Sequence, residues 1–396
     1  MLTMERECEE AVGRLRAALI SLYDSVGADP ASPLDVSRSL LVNKTLSYNM
    51  AKLLQQSNGL NAIPHVPGTS AIERFLSAAT TAGADKAVVE EVRNAQKKFE
   101  QVISEHVGDR ATLDLVIDGL AAPDGNALEQ SRKRAFQGNS GIYGVQAAAN
   151  VMSCFLAPNH DNPDQLDMVM LRGLVGVRRL RPTVRVPIFR LRQWSSSGQA
   201  VGEAQWKPLE SDAPSPFLQQ FSSGDVPEID AVEVPGGVDY VVRPGPIGNK
   251  AAFDCFFGES IHCGASRFVS NEDKTGEFGV TITVPTERLI FDLIVHRDLD
   301  FAMDAKTFVY AYFFTQKDEL GEWDESSELP IQPHGAMLSG SPLAVATARV
   351  PRYAEANRMV YDRQGWSPRD FVGRRVELNY PPLGSTVVQR FDLPER

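Results

Sequence analysis

Residues 127–177 read ALEQSRKRAFQGNSGIYGVQAAANVMSCFLAPNHDNPDQLDMVMLRGLVGV, and the division of the chain turns on them. Up to Phe155 the stretch reads as a helical run, interrupted near Gly138-Asn139-Ser140-Gly141 because glycine weakens a helix interior. After Pro158 the texture changes to short runs rich in β-branched and aromatic residues, the first at 168–177. Further runs of this kind stand at 184–193, 238–243, 252–257, 278–284, 289–295, 307–314 and 375–378, separated by turn residues as in a sandwich or barrel. A late helix is expected at 353–361. Residues 195–230 are rich in Ser, Gly, Pro and acids and read as a loop or a minor boundary.

Upstream of residue 127 the spacing is helical. Val12, Leu15, Leu19, Leu22 and Val26 recur at three and four, one stripe of an amphipathic helix, which stops at Gly27-Ala28-Asp29-Pro30. Ser32 with Pro33 opens a short helix over 34–41, and Asn43 caps the next, to about residue 55. Ser70 and Glu73 suggest a capping box for a helix to about Ala82. A long helix covers 85–107, with Val88, Val92, Phe99, Val102 and Ile103 on its apolar side, and Asp109 starts another. The expected fold is α+β: a helical domain over 1–125, a linking helix over 126–157, and a β-rich sandwich- or barrel-like domain over 158–396.

At about 150 residues per domain, 396 residues suggest two or three domains. A chain this long can bury a large core without disulfide staples. The four cysteines, Cys8, Cys154, Cys255 and Cys263, are scattered, with no Cys-x-x-Cys, so reduced and mostly buried thiols are expected and a structural zinc is not. The N-terminus is charged from Glu5 onward and lacks a signal-peptide core, and nowhere do eighteen apolar residues run together. A cytoplasmic location, with no membrane partner, is the expectation. The net charge of −11 argues against unspecific coating of nucleic acid but leaves room for a local basic face.

Within 33–55 the pattern is a short helix, a tight turn and a second helix with polar residues on one side. Val36 and Leu40 stand four apart on the first helix. Leu46, Met50, Leu53 and Leu54 give the second its packing face, leaving Asn43, Lys44, Thr45, Tyr48, Asn49 and Lys52 to point outward. The segment DVSRSLLVNKTLSYNMAKLL, behind a leading helix, resembles the helix-turn-helix of bacterial transcriptional regulators over roughly residues 10–56. Ser37 supplies the small residue usual in the first helix. Leu41 stands where glycine is usual in the turn, and Ser47 where a β-branched core residue is usual. The resemblance implies DNA binding by the 43–55 helix. Lys44 and Lys52 would contact phosphates, and Asn49 with Tyr48 would approach base edges. It also implies a homo-oligomer, because one short helix reads few base pairs, with the remaining chain sensing a small-molecule effector or assembling subunits.

The most unusual local composition is seven arginines within 21 residues: Arg172, Arg178, Arg179, Arg181, Arg185, Arg190 and Arg192. Arg178, Arg179 and Arg181 are the anion-binding candidates. Because alternate strand residues face opposite sides, pairing with carboxylates from elsewhere is the competing expectation. The loop His160 to Asp167 offers oxygen ligands but fails the EF-hand pattern and reads as a polar turn. Cys255, His262, Cys263 and His296 suggest thiol or zinc chemistry without a spacing that fixes it. His296-Arg297-Asp298 lacks the other kinase motifs, and neither Gly245-Lys250 nor Gly138-Gly141 matches a phosphate loop or a nucleophile elbow. No catalytic residue, metal ligand or cofactor site emerges. The leading functional reading is a DNA-binding regulator. The alternatives are a non-catalytic protein-binding or assembly protein and an enzyme acting on a small anionic substrate.

Overall fold

The computed structural model describes residues 2–56, 59–120, 127–192, 206–210, 213, 215–223, 226–234, 237–270, 274–311 and 325–396. The chain forms two compact units, 1–128 and 129–396. The protein is α+β, with helices in the first unit and several sheets in the second.

The first unit contains α1 (Leu2–Ser25), α2 (Pro33–Ser39), α3 (Lys44–Gln55), α4 (Gly59–Ala62), α5 (Thr69–Thr81), α6 (Lys86–His106) and α7 (Arg110–Leu120). The stripe read from α1 is its buried face: Val12, Leu15, Leu19 and Leu22 are wholly inaccessible. They share one core with Val92 and Phe99 of α6, Met50 and Leu53 of α3, and Phe75 of α5. At roughly 1.5–3 kcal/mol for each large apolar side chain removed from water, this shared core rather than helix propensity holds the unit together. Asn43 and Asp85 cap their helices, accepting from the backbone N–H groups of Thr45 and Ala87 at 2.7 and 2.8 Å. Ser32 stands before α2 but does not cap it; its hydroxyl instead donates to Asp29. The expected Ser70–Glu73 capping box is also absent. α5 starts at Thr69 behind Gly68, two residues earlier than a Ser70 cap would place it, and Glu73 pairs with Arg93 of α6 at 2.9 Å.

The second unit holds α8 (Ala127–Tyr143), which begins just ahead of it, then β1 (Val145–Pro158), β2 (Gln165–Arg179), β3 (Val186–Arg192), β4 (Lys207–Pro208), β5 (Ile229–Val234) and β6 (Gly237–Val242). There follow β7 (Phe253–Ser266), β8 (Thr275–Thr281), β9 (Thr286–His296), β10 (Lys306–Ala311), β11 (His334–Met337), α9 (Tyr353–Gln364), β12 (Phe371–Asn379) and β13 (Ser385–Asp392). A seven-stranded sheet in the order β11-β12-β9-β1-β2-β7-β4 is the centre. Its described pairings are antiparallel except β1 with β9, which run parallel.

One face of this sheet is covered twice. The small sheet β10-β13-β8 closes a core over Met152, Cys154, Met170, Ile261, Phe291 and Leu293. The small sheet β3-β6-β5 closes a second core over Leu174, Cys255 and Phe257. α9 covers the opposite face, against Phe155, Leu171 and Ile294. That helix is pinned by a buried polar network. Asp292 on β9 is fully buried and takes two 2.7 Å bonds from Arg375 on β12. The hydroxyl of Tyr353 on α9 donates to Asp292 at 3.0 Å, and Ser153 on β1 bridges Tyr353 and Asn357 of the helix.

The segment 126–157 is not one linking helix. α8 passes through Gly138–Gly141 without a break and ends at Tyr143, and β1 begins two residues later. Gly144 makes the switch. Its φ of 68° is left-handed, and a Cβ there would lie 2.5 Å from Arg181 Nε and 2.8 Å from Val184. Only glycine fits that corner. The late helix is present as α9, three residues longer than expected. No helix among the described residues is long and apolar enough to cross a membrane.

Candidate nucleic-acid interface

α2 ends at Ser39 with Leu40 as its C-cap, and Leu41 takes a left-handed φ of 53°. The N–H of Val42 then donates back to the Ser37 carbonyl at 3.2 Å, which closes a Schellman turn. Ser37 also donates its hydroxyl to the Val42 carbonyl at 2.7 Å, so the small residue of the first helix latches the corner. A leucine in this conformation is strained by roughly 1–2 kcal/mol, which is why glycine is usual there. Leu41 is 90% exposed, so the corner takes a large side chain without a clash. Asn43 then starts α3, whose carboxyl end is tied to α1 by a 2.9 Å bond from Arg16 to the Leu54 carbonyl.

The faces of α3 separate mostly as its spacing predicts. Ser47, Met50, Ala51 and Leu53 are buried. Ser47 fits the tight position because it is small and its backbone N–H bonds the Asn43 carbonyl. Asn43, Lys44, Thr45, Tyr48 and Lys52 are exposed. Asn49, expected to be exposed, is half-buried, and Leu46, expected to be buried, is half-buried against the core. The helix is therefore rotated slightly from the sequence reading, with Tyr48 rather than Asn49 at the crest of the outer face. The surroundings are not basic. Residues 1–128 hold 12 Lys and Arg against 17 Asp and Glu, and Arg38, the nearest arginine on α2, lies 3.7 Å from Asp35.

Among the described residues, the arginines of the run do not gather on one surface. Arg178 bonds Asn249 at 2.9 Å and Glu287 at 3.3 Å. Arg181 is exposed and donates to the Ile142 carbonyl. Arg179 is 1% exposed and donates to the Arg243 carbonyl, with its guanidinium over the Phe253 ring. Burial holds the Arg179 guanidinium below its ordinary range. Arg185 and Arg190 pair with Asp230 and Asp239. Strand alternation explains the dispersal, since neighbours along β2 and β3 leave on opposite faces.

Of the cysteines, Cys8, Cys154 and Cys255 are buried and Cys263 is exposed. Burial pushes the Cys255 thiol up to about 12, which leaves it a small hydrophobe. Cys263 sits in a bulge of β7 with a φ of 52°, its N–H bonded to Asp167 at 3.1 Å, while His262 approaches the same carboxylate at 3.3 Å. Asp167 also takes the Asn159 side chain at 2.7 Å, so the acidic loop is tied up in its own turn. His296 caps the 3-10 turn Arg297–Asp304, accepting from the Asp298 N–H. Among the described residues, no three His, Cys, Asp or Glu side chains converge as a metal site would require.

No family model matches the chain, and no curated protein matches it. Among solved structures it is similar to a "putative protease" from Parabacteroides distasonis, at 8% identity and a TM-score of 0.27, over 63% of this chain and 41% of that one. It is also similar to the M1 zinc metallopeptidase from Deinococcus radiodurans, at 7% identity and a TM-score of 0.26, over 62% of this chain and 42% of that one. The chain thus spans about two-fifths of the length of those proteins.

Proposed function

We propose that the protein binds duplex DNA through α2 and α3 and works as a transcriptional regulator, with the β-rich unit serving effector sensing or subunit assembly. The observation that carries this reading is the left-handed Schellman corner at Leu41. It sets α3 at an open corner with Lys44, Thr45, Tyr48 and Lys52 outward and Ser47, Met50 and Leu53 inward. In this reading Lys44 and Lys52 contact phosphates, while Tyr48 and the partly covered Asn49 approach base edges. The acidic balance of the unit keeps non-specific affinity low, so a dimer is needed to bring two such helices onto half-sites one helical turn apart.

A salt titration of the full chain against genomic DNA fragments tests it. Affinity is expected to fall with salt. Lys44→Ala with Lys52→Ala should weaken binding similarly for all sequences and reduce the log–log slope by roughly 2, at about 0.9 per phosphate contact. Asn49→Ala should instead lower discrimination between sites, by roughly 1–3 kcal/mol if the amide makes a bidentate base contact. A folded protein with no salt-sensitive affinity for any fragment would end the regulator reading.

One observation favours a second reading. Leu34, Leu41 and Tyr48 are 40%, 90% and 44% exposed around the same corner, more apolar surface than a phosphate-facing edge needs. A protein-contact role for α2–α3 would leave DNA affinity absent and make Leu41→Ser and Tyr48→Ser the disruptive changes.

A further inference from the structure

Arg172 on β2 and Glu259 on β7 stand on the doubly covered face of the large sheet, at the seam between its two apolar cores. Arg172 lies between Met170, which belongs to the core under β10-β13-β8, and Leu174, which belongs to the core under β3-β6-β5. Glu259 lies in the same way between Ile261 and Phe257. Glu259 is 2% exposed, and its Oε1 has no hydrogen-bond partner. The buried Nε of Arg172 has none either. The two side chains do not meet in an ion pair within 4.0 Å. Beside them the Phe189 and Phe257 rings stack at 4.4 Å, Tyr240 tilts against both, and the Arg172 guanidinium lies 5.4 Å from the Phe189 ring centre. A buried carboxyl and a buried guanidinium N–H left unpaired are each unfavourable by roughly 1–3 kcal/mol or more. Neither relieves the other.

We propose that this seam is a binding site for a small organic monocarboxylate with an apolar or aromatic body. The carboxylate accepts from Arg172 Nε and from the protonated Glu259 carboxyl, and its hydrocarbon lies against the Phe189–Tyr240–Phe257 cluster. The charges select this class. Burial pushes Glu259 up to about 7 against the pull of Arg172, so below about pH 7 the carboxyl is mostly protonated and leaves the Arg172 charge uncompensated. A monoanion neutralises it, a cation is repelled by it, and a dianion such as sulfate brings excess charge into an apolar wall. The site stands whether or not α2 and α3 engage DNA.

The test is calorimetric and thermal-shift titration of the full chain with benzoate, cyclohexanecarboxylate and butyrate, at pH 6 and pH 8. Saturable binding is expected at pH 6. It should be about tenfold weaker at pH 8, because the ligand takes only the form with Glu259 protonated and the group titrates at about 7. Glu259→Gln should keep binding through its amide N–H and flatten the pH dependence, and Arg172→Met should abolish binding. If Arg172→Met fails to fold, the pH profile of Glu259→Gln decides. No saturable binding of any of the three acids at pH 6 overturns the proposal. Binding with the same pH profile in wild type and Glu259→Gln overturns it as well.

Discussion

Leu53→Asp is expected to unfold the helical unit. Leu53 is wholly inaccessible and sits in the core that α1, α3, α5 and α6 share. Removing a buried leucine side chain destabilises by roughly 2–5 kcal/mol through lost transfer energy and the cavity left behind. An aspartate adds an unpaired charge, which must either stay protonated against its ordinary pKa or draw water into the core. Together these approach the roughly 5–15 kcal/mol that holds a whole domain folded. In the full chain, the helical far-ultraviolet signal of residues 1–120 should disappear, and limited proteolysis should open that region first. Leu53→Met keeps volume and polarity and should change stability by less than about 1.5 kcal/mol. Retention of the helical signal and of protease resistance in Leu53→Asp would mean that α3 is not integral to the core.

The helical unit was legible because its helices are amphipathic and solvent on one side leaves a period of 3.6 in the sequence. β1 was not legible, for the opposite reason. From Ala149 to Ala157 every residue but Asn150 and Ser153 is apolar, and that run is buried throughout, one face under a small sheet and the other under α9. A strand covered on both faces carries no alternation, and three consecutive alanines, Ala147 to Ala149, read as helix. β4, β5, β11 and β13 were missed as well. They are short or lie on small sheets, where pairing with distant partners rather than local pattern defines them. At the interface, the outward set was legible from spacing, but the rotation that half-buries Asn49 depends on how α3 meets α1, a contact between residues far apart in sequence. Arg172 was legible only as the first member of the arginine run, and nothing in the sequence placed Glu259 near it, because the pairing of β2 with β7 joins residues far apart along the chain.

Asp292→Ala should be the most damaging single change in the β-rich unit. The substitution leaves the Arg375 guanidinium buried without its anion, and removes one of the two partners of the Tyr353 hydroxyl, which weakens the hold on α9. Breaking one side of a buried pair costs about 3–5 kcal/mol. With roughly 2–4 °C per kcal/mol for a domain of this size, the melting temperature should fall on the order of 10 °C. Asp292→Ala combined with Arg375→Met should be less destabilised than Asp292→Ala alone, because the orphaned charge is gone. A double variant as unstable as the sum of the two single changes would show that the pair is not energetically coupled.

The parallel contact between β1 and β9 sets the order in which this unit can be made. β1 and β2 form a local hairpin as soon as residue 179 has been synthesised, but the outer edge of β1 is closed only by β9, which ends at His296. At about 5–20 residues per second, a ribosome takes on the order of ten seconds to deliver the intervening roughly 120 residues. Through that interval the nascent chain carries an open, almost wholly apolar strand edge, the kind of surface that pairs with other chains. Yield of the folded protein should therefore respond to translation speed between residues 180 and 296 and to the supply of holdase chaperones.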